Sequence, residues 1–162
     1  MKNFTFILFA ALSIASCNPN NGCYAPPASS LFINAKRNDT LWSAIPGNST
    51  LRNDTITIKA AGIDRTLFRD TLGIRIKYIG TGVYTLTKSQ VSYHSVAVNS
   101  AAINNYTLDT LYANSLTITA FDQMSATIKG SFNIKFIDLN ASPGKPGDIS
   151  FLGGQYYIAL HK

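Results

Sequence analysis

The chain has 162 residues, of which 46% are hydrophobic and only 14% charged, with a formal net charge of +6. That length suits one domain with a sizeable core, and the apolar content excludes a chain disordered throughout. The eight acidic residues are all Asp, and Thr, Asn, Ser, Ile and Tyr stand where a helical protein would carry Glu, Lys and Ala, so strands and turns are expected.

The chain opens with Lys2, an apolar run from Phe4 to Leu12, and the small residues Ser13, Ala15 and Ser16. The run is too short for a membrane span, which needs about 20 residues, and reads as a secretory signal. It ends in Ile14-Ala15-Ser16-Cys17, which resembles a lipobox, the pattern in which the cysteine is lipidated and becomes the new N-terminus. The expected division is therefore a signal peptide over 1–16, lipidated Cys17 with a tether over 17–30, and a β-rich domain over 31–162. Loss of Lys2 leaves 13 basic and 8 acidic residues, a mature charge of +5. This excess is spread without runs and, with export, argues against a nucleic-acid partner. Each buried CH₂ of an acyl chain contributes about 0.8 kcal/mol, so a multiply acylated Cys17 makes the membrane the first expected partner. Cys23 is then the remaining thiol, and no internal disulfide can form. Asn18–Ser30 has no periodicity; its 13 residues reach roughly 45 Å at most.

From Leu31 onward the apolar residues alternate with period two. Candidate strands are Leu31–Lys36, Leu41–Ile45, one around Ile56 and Ile58, Leu72–Tyr78, Val83–Thr87, Val91–Val98, Tyr106–Leu111, one around Leu116 and Ile118, Ala126–Phe136, Ile149–Leu152 and Tyr156–Leu160. The longest puts Ala126, Ile128, Gly130, Phe132, Ile134 and Phe136 on one face. Asn38-Asp39, Gly80-Thr81-Gly82, Asp122-Gln123, Pro143-Gly144-Lys145-Pro146-Gly147 and Gly153-Gly154 read as turns between them, with Asp122-Gln123 as a tight hairpin. The expected fold is all-β, a single antiparallel sandwich or barrel.

Several stations resemble a domain of unknown function common in Bacteroidota lipoproteins. They are Asn34, Lys36 and Trp42-Ser43-Ala44, then Ile56-Thr57-Ile58, Gly82-Val83-Tyr84-Thr85-Leu86, Leu116-Thr117-Ile118-Thr119 with Asp122, Ile128-Lys129-Gly130-Ser131-Phe132, and Gly154 to Tyr157. The likeness covers about residues 31–160 in order and departs at Ala35, where that family usually has Gly. It implies a β-rich envelope lipoprotein and no particular activity. The chain lacks the acidic run after the cysteine that resembles the surface-export signal of such lipoproteins. The expected place is the periplasmic face of the outer membrane, with the cell surface as the alternative.

The search for chemistry yields no catalytic set. A Ser hydrolase needs a base and an orienting acid, and the histidines are His94, on an alternating stretch, and His161, expected to be frayed at the chain end. Zinc wants about four N or S ligands, and a calcium loop ends in Glu, so no metal or other cofactor is expected. Arg65, Arg69, Arg75 and Lys77, interrupted by Asp64 and Asp70, form the one basic concentration and read as a solvated strand face, with contact to anionic headgroups near the anchor as the alternative. Trp42, Tyr84 and Tyr93 are the candidate binding residues, as stacking platforms for a glycan or as cavity lining. The resulting expectation is a non-catalytic envelope domain that binds or supports an assembly, with an envelope protein or a glycan as partner. Its alternatives are a ligand- or glycan-binding module with an aromatic-lined cleft, and a hydrolase in which His94 faces two Asp carboxylates.

Overall fold

A computed structural model of the protein describes residues 31–62, 68–97, 103–138 and 147–161. The signal, Cys17, the tether with Cys23, Asp64, Arg65, and Pro143 to Pro146 lie outside the described residues, as does the side chain of Arg69. Within them run β1 (Phe32–Arg37), β2 (Thr40–Pro46), β3 (Thr50–Arg52), β4 (Thr55–Gly62), β5 (Phe68–Lys77) and β6 (Gly82–Thr85). A single 3₁₀ turn (Lys88–Gln90) leads into β7 (Val91–Ala97), followed by β8 (Ile103–Leu108), β9 (Ser115–Asp122), β10 (Thr127–Ile137) and β11 (Ile149–Ala159).

Of the two expected architectures, the chain adopts the barrel. Eight antiparallel strands close in the order β11-β1-β2-β4-β5-β7-β8-β10, and β10 returns to β11. Closure gives every strand one dry and one wet face, which is what the period-two pattern demands. Ile56, Ile58, Leu72, Ile74, Ile76, Ile128, Phe132, Ile134 and Phe136 all point inward and are buried. Aromatic rings fill the centre: Tyr93 lies 5.1 Å from Phe151 and 5.4 Å from Phe136, and Trp42 lies 4.8 Å from Phe151.

The seam is at β10. One edge of that strand pairs with β11 along nearly its whole length. The other edge is shared, by β9 from Thr127 to Asn133 and by β8 at Phe136 and Ile137. Between the two, a side chain from the β8–β9 connection completes the ladder. Buried Asn114 accepts the Lys135 backbone N–H at 2.7 Å and donates to the carbonyls of Asp109 (2.6 Å) and Tyr112 (3.0 Å). The Lys135 carbonyl in turn accepts from the Asp109 N–H at 2.9 Å. β9 also carries β6, which ends the strand order, while β3 pairs with β4.

Turn chemistry explains the hairpins. Asn38 and Asp39 (φ 46° and 63°) join Arg37 to Thr40, and Asn53 and Asp54 (φ 47° and 56°) join Arg52 to Thr55. Both are two-residue loops with two left-handed residues, where Asn and Asp are the best tolerated non-glycine types.

Four expectations are corrected. Gly153-Gly154 does not separate two strands; it lies inside the continuous β11 as a bulge, with Gly153 at φ 58° and a register shift against both β1 and β10. The hairpin at Asp122 is a four-residue loop, because Asp122 pairs with Thr127 and its carboxylate accepts the N–H groups of Met124 (2.8 Å) and Ser125 (3.3 Å). Ala126 accordingly leaves the inward face of β10 and takes a left-handed φ of 49° in that loop. His161 is not frayed at its backbone: its N–H reaches the Ser49 carbonyl at 2.8 Å and its carbonyl accepts from Leu51 at 3.0 Å.

Replacing Asn114 by Ala leaves the part-buried Lys135 N–H without its acceptor and removes two further hydrogen bonds. The expected loss is about 2–4 kcal/mol of stability, read as a lower urea midpoint.

Candidate functional site

The one buried charge among the described residues sits at the end of the barrel where β5 begins. Asp70 follows the inward frame of Leu72, Ile74 and Ile76, so alternation carries its carboxylate into the interior, where it is 4% exposed. Arg37 follows Ile33 and Ala35 on β1; Trp42 precedes Ala44 on β2; Tyr93 and buried Ser95 follow Val91 on β7. Each is placed inward by the same parity.

They converge on one oxygen. Asp70 Oδ2 accepts from Arg37 Nη1 at 2.5 Å, from Trp42 Nε1 at 3.0 Å and from the Tyr93 hydroxyl at 3.2 Å. Asp70 Oδ1 is buried with no hydrogen-bond partner among the described residues. It rests against Gly62, where an added Cβ would fall 1.7 Å from it, so glycine is what leaves room for the carboxylate.

The electrostatics follow from this packing. Burial works to lower the Arg37 guanidinium, yet Tyr93 and the Asp70 carboxylate outweigh it and hold the group above its ordinary value. Burial, helped by the adjacent Asp70 charge, pushes the Tyr93 phenol far above the usual tyrosine range. Tyr156, whose hydroxyl donates to the Thr117 carbonyl at 2.9 Å, is pushed up by burial and by nearby Tyr84.

Chemically, the arrangement locks a carboxylate in place. Three donors occupy one oxygen, and only Arg37, its side chain 25% exposed, reaches solvent. Among the described residues no histidine or second carboxylate bonds to the acid. His94 stands exposed on the outer face, its Nδ1 2.7 Å from Asn105 Oδ1 on the neighbouring strand, so the histidine-centred pocket of the hydrolase alternative is not assembled around it. Among the described residues no group of three or more His, Cys, Asp or Glu could hold a metal ion.

Of the three aromatic candidates, Trp42 and Tyr93 meet at Asp70 and lie inside the barrel, 3% and 1% exposed. Tyr84 is apart from them on β6; its hydroxyl donates to the Gly80 carbonyl and accepts the Ile79 N–H at 3.1 Å. Sequence reasoning placed Asp70 in a mixed-charge surface and did not single out Arg37. The signal was present: each continues an apolar alternation by two residues, on the core side.

With this geometry in view, residues 29–151 match the family model described as Domain of unknown function (DUF6252). The chain belongs to this family. The DUF6252 match spans β1 to β10 and the start of β11, and so includes Arg37, Trp42, Gly62, Asp70 and Tyr93. No curated protein and no solved structure matches the chain.

Removing one member of a buried ion pair costs about 3–5 kcal/mol. Asp70→Ala and Arg37→Met should therefore each destabilise the DUF6252 domain by that order, and the double variant by clearly less than their sum, in a double-mutant cycle read by urea unfolding. Tyr93 and Tyr156 stay protonated in the folded domain above the ordinary tyrosine value of 10.0. The unfolded chain ionises there first, so stability falls as pH rises past that value. Tyr93→Phe and Tyr156→Phe should each flatten that alkaline decline, measured as midpoint against pH.

Proposed function

We propose that this chain is an envelope lipoprotein of the Bacteroidota kind, held through acylated Cys17 at the periplasmic face of the outer membrane. Its DUF6252 barrel is a non-catalytic assembly domain that engages another envelope protein on its outer surface. The anchoring half rests on sequence: Lys2, the Phe4–Leu12 run and Ile14-Ala15-Ser16-Cys17 fall in the order a lipoprotein signal requires.

The observation that carries the second half is the filled interior. A barrel of eight strands has room for its own side chains or for one small ligand. Here Trp42, Tyr93, Phe136 and Phe151 occupy that space in ring-to-ring contact. Recognition is left to the outside. There β6 is hydrogen-bonded by β9 on one side and ends the strand order, with Val83 72% exposed and Ile79, just before it, 82% exposed. A short terminal strand bearing apolar side chains is suited to accepting a further strand from a partner. An aromatic-lined cleft finds no support in Trp42 and Tyr93, which are buried.

Two variants separate the halves. Cys17→Ala should move the protein from the membrane to the soluble fraction and leave an unprocessed precursor; unchanged partitioning overturns the anchor. Val83→Lys should abolish co-purification of an envelope protein after mild crosslinking while leaving thermal stability within about 0.5 kcal/mol. Equal capture by both forms overturns the β6 edge as the docking strand.

A further inference from the structure

Charge is unevenly distributed around the barrel. On the outer face of β3, β4 and β5, the ladders place Arg52, Thr55 and Lys77 in one row, Thr50, Thr57 and Arg75 in the next, and Lys59 beside Gly73 in a third. All have the opposite parity to buried Ile56, Ile58, Ile74 and Ile76, and Arg52, Lys59, Arg75 and Lys77 are exposed. Rows two residues apart are about 7 Å from one another and strands about 4.8 Å, so four cations share a surface roughly 14 Å by 10 Å. Among the described residues none of the four makes an ion pair, and the acid that borders them is Asp54 in the β3–β4 turn.

The other described acids are placed elsewhere. Asp70 is inside with Arg37, and Asp109 and Asp148 lie 3.5 Å and 3.9 Å from Lys135. Asp39 sits in the β1–β2 turn, Asp122 at the β9–β10 turn, and Asp138 directly after β10. Among the described residues, one side of the barrel is therefore a cationic, threonine-rich sheet face bordered by the single acid Asp54.

We infer that this face rests on the anionic phospholipid headgroups of the membrane that holds the protein. Guanidinium and ammonium groups supply charge for phosphate, and the intervening Thr hydroxyls supply further donors to its oxygens. Exposed aromatic rings, the usual platforms for single-stranded nucleic acid, are missing from these rows, which hold Thr, Gly, Arg and Lys. The inference deepens the anchored reading above: a tether of 13 residues keeps the barrel within roughly 45 Å of the bilayer, where even a modest attraction orients it.

The test uses the mature span, residues 17–162 with Cys17→Ser, in which neither the apolar signal nor an acyl group contributes, sedimented with vesicles of phosphatidylcholine alone or mixed with phosphatidylglycerol. Preferential binding to the mixed vesicles, weakening as salt rises, is expected. Arg75→Gln with Lys77→Gln should lower that binding about 30-fold, since each cation near such a surface contributes a factor of about five. Lys36→Gln with Lys129→Gln removes the same charge from the outer faces of β1 and β10 and should change binding less than about threefold. Equal losses in the two pairs, indifference to phosphatidylglycerol, or tighter association with duplex DNA than with the mixed vesicles would each overturn the inference. Because Cys17 is replaced in every arm, the result is independent of whether the native protein is acylated.

Discussion

One backbone N–H governs whether this sheet closes. Where β8 and β9 share an edge of β10, the ladder would leave the part-buried Lys135 N–H unbonded, and an unpaired buried amide costs up to about 1–3 kcal/mol. Asn114 supplies the missing carbonyl from a side chain and ties its own amide to Asp109 and Tyr112. The fork is then a continuous hydrogen-bonded wall. Once the wall is continuous the interior is shielded from water, and everything placed there must find partners within it.

Asp70 is the severest case of that requirement. Its partners come from β1, β2 and β7, whereas its own strand is paired to β4 and β7. The Arg37 bond thus spans the lumen and does not follow a ladder. Such a pair gains little net stability over apolar residues of the same shape, because desolvation offsets attraction. What it does fix is register: a slip of β5 by one residue would turn Asp70 outward and Thr71 inward, leaving the Arg37 charge and the Trp42 N–H without their acceptor. The Gly62 niche adds a steric condition to the same register, since any Cβ there would occupy the position of Asp70 Oδ1.

The period of the apolar residues made the strands legible. Leu72, Ile74 and Ile76, or Ile128 to Phe136, admit only a pleated reading, and the turns Asn38-Asp39 and Gly80-Thr81-Gly82 lie between strands as their chemistry indicates. Four features were not legible, each for a physical reason. Gly153-Gly154 serves a bulge as readily as a turn, because both need a left-handed residue, and only the partners on either side distinguish them. β3 is three residues long and owes its existence to β4. Asp70 was counted with the surface because charge outweighed parity in the reading, while the fold let parity prevail. Closure at β10 depends on which strands meet in space, and one-dimensional periodicity is silent on that.

The pairing of β1 with β11 sets the timing of assembly. Phe32 lies opposite Tyr157 and Arg37 opposite Phe151, so the first strand of the domain finds its second neighbour only in the last. A chain emerging residue by residue, from a ribosome or a translocation pore, can form the β4–β5 and β5–β7 pairings early, but its lumen remains open until β11 is released. Contacts this distant in sequence also slow folding. A stop codon or protease cut ahead of β11 would therefore strand an open sheet with two unsatisfied margins, and not a slightly shortened barrel.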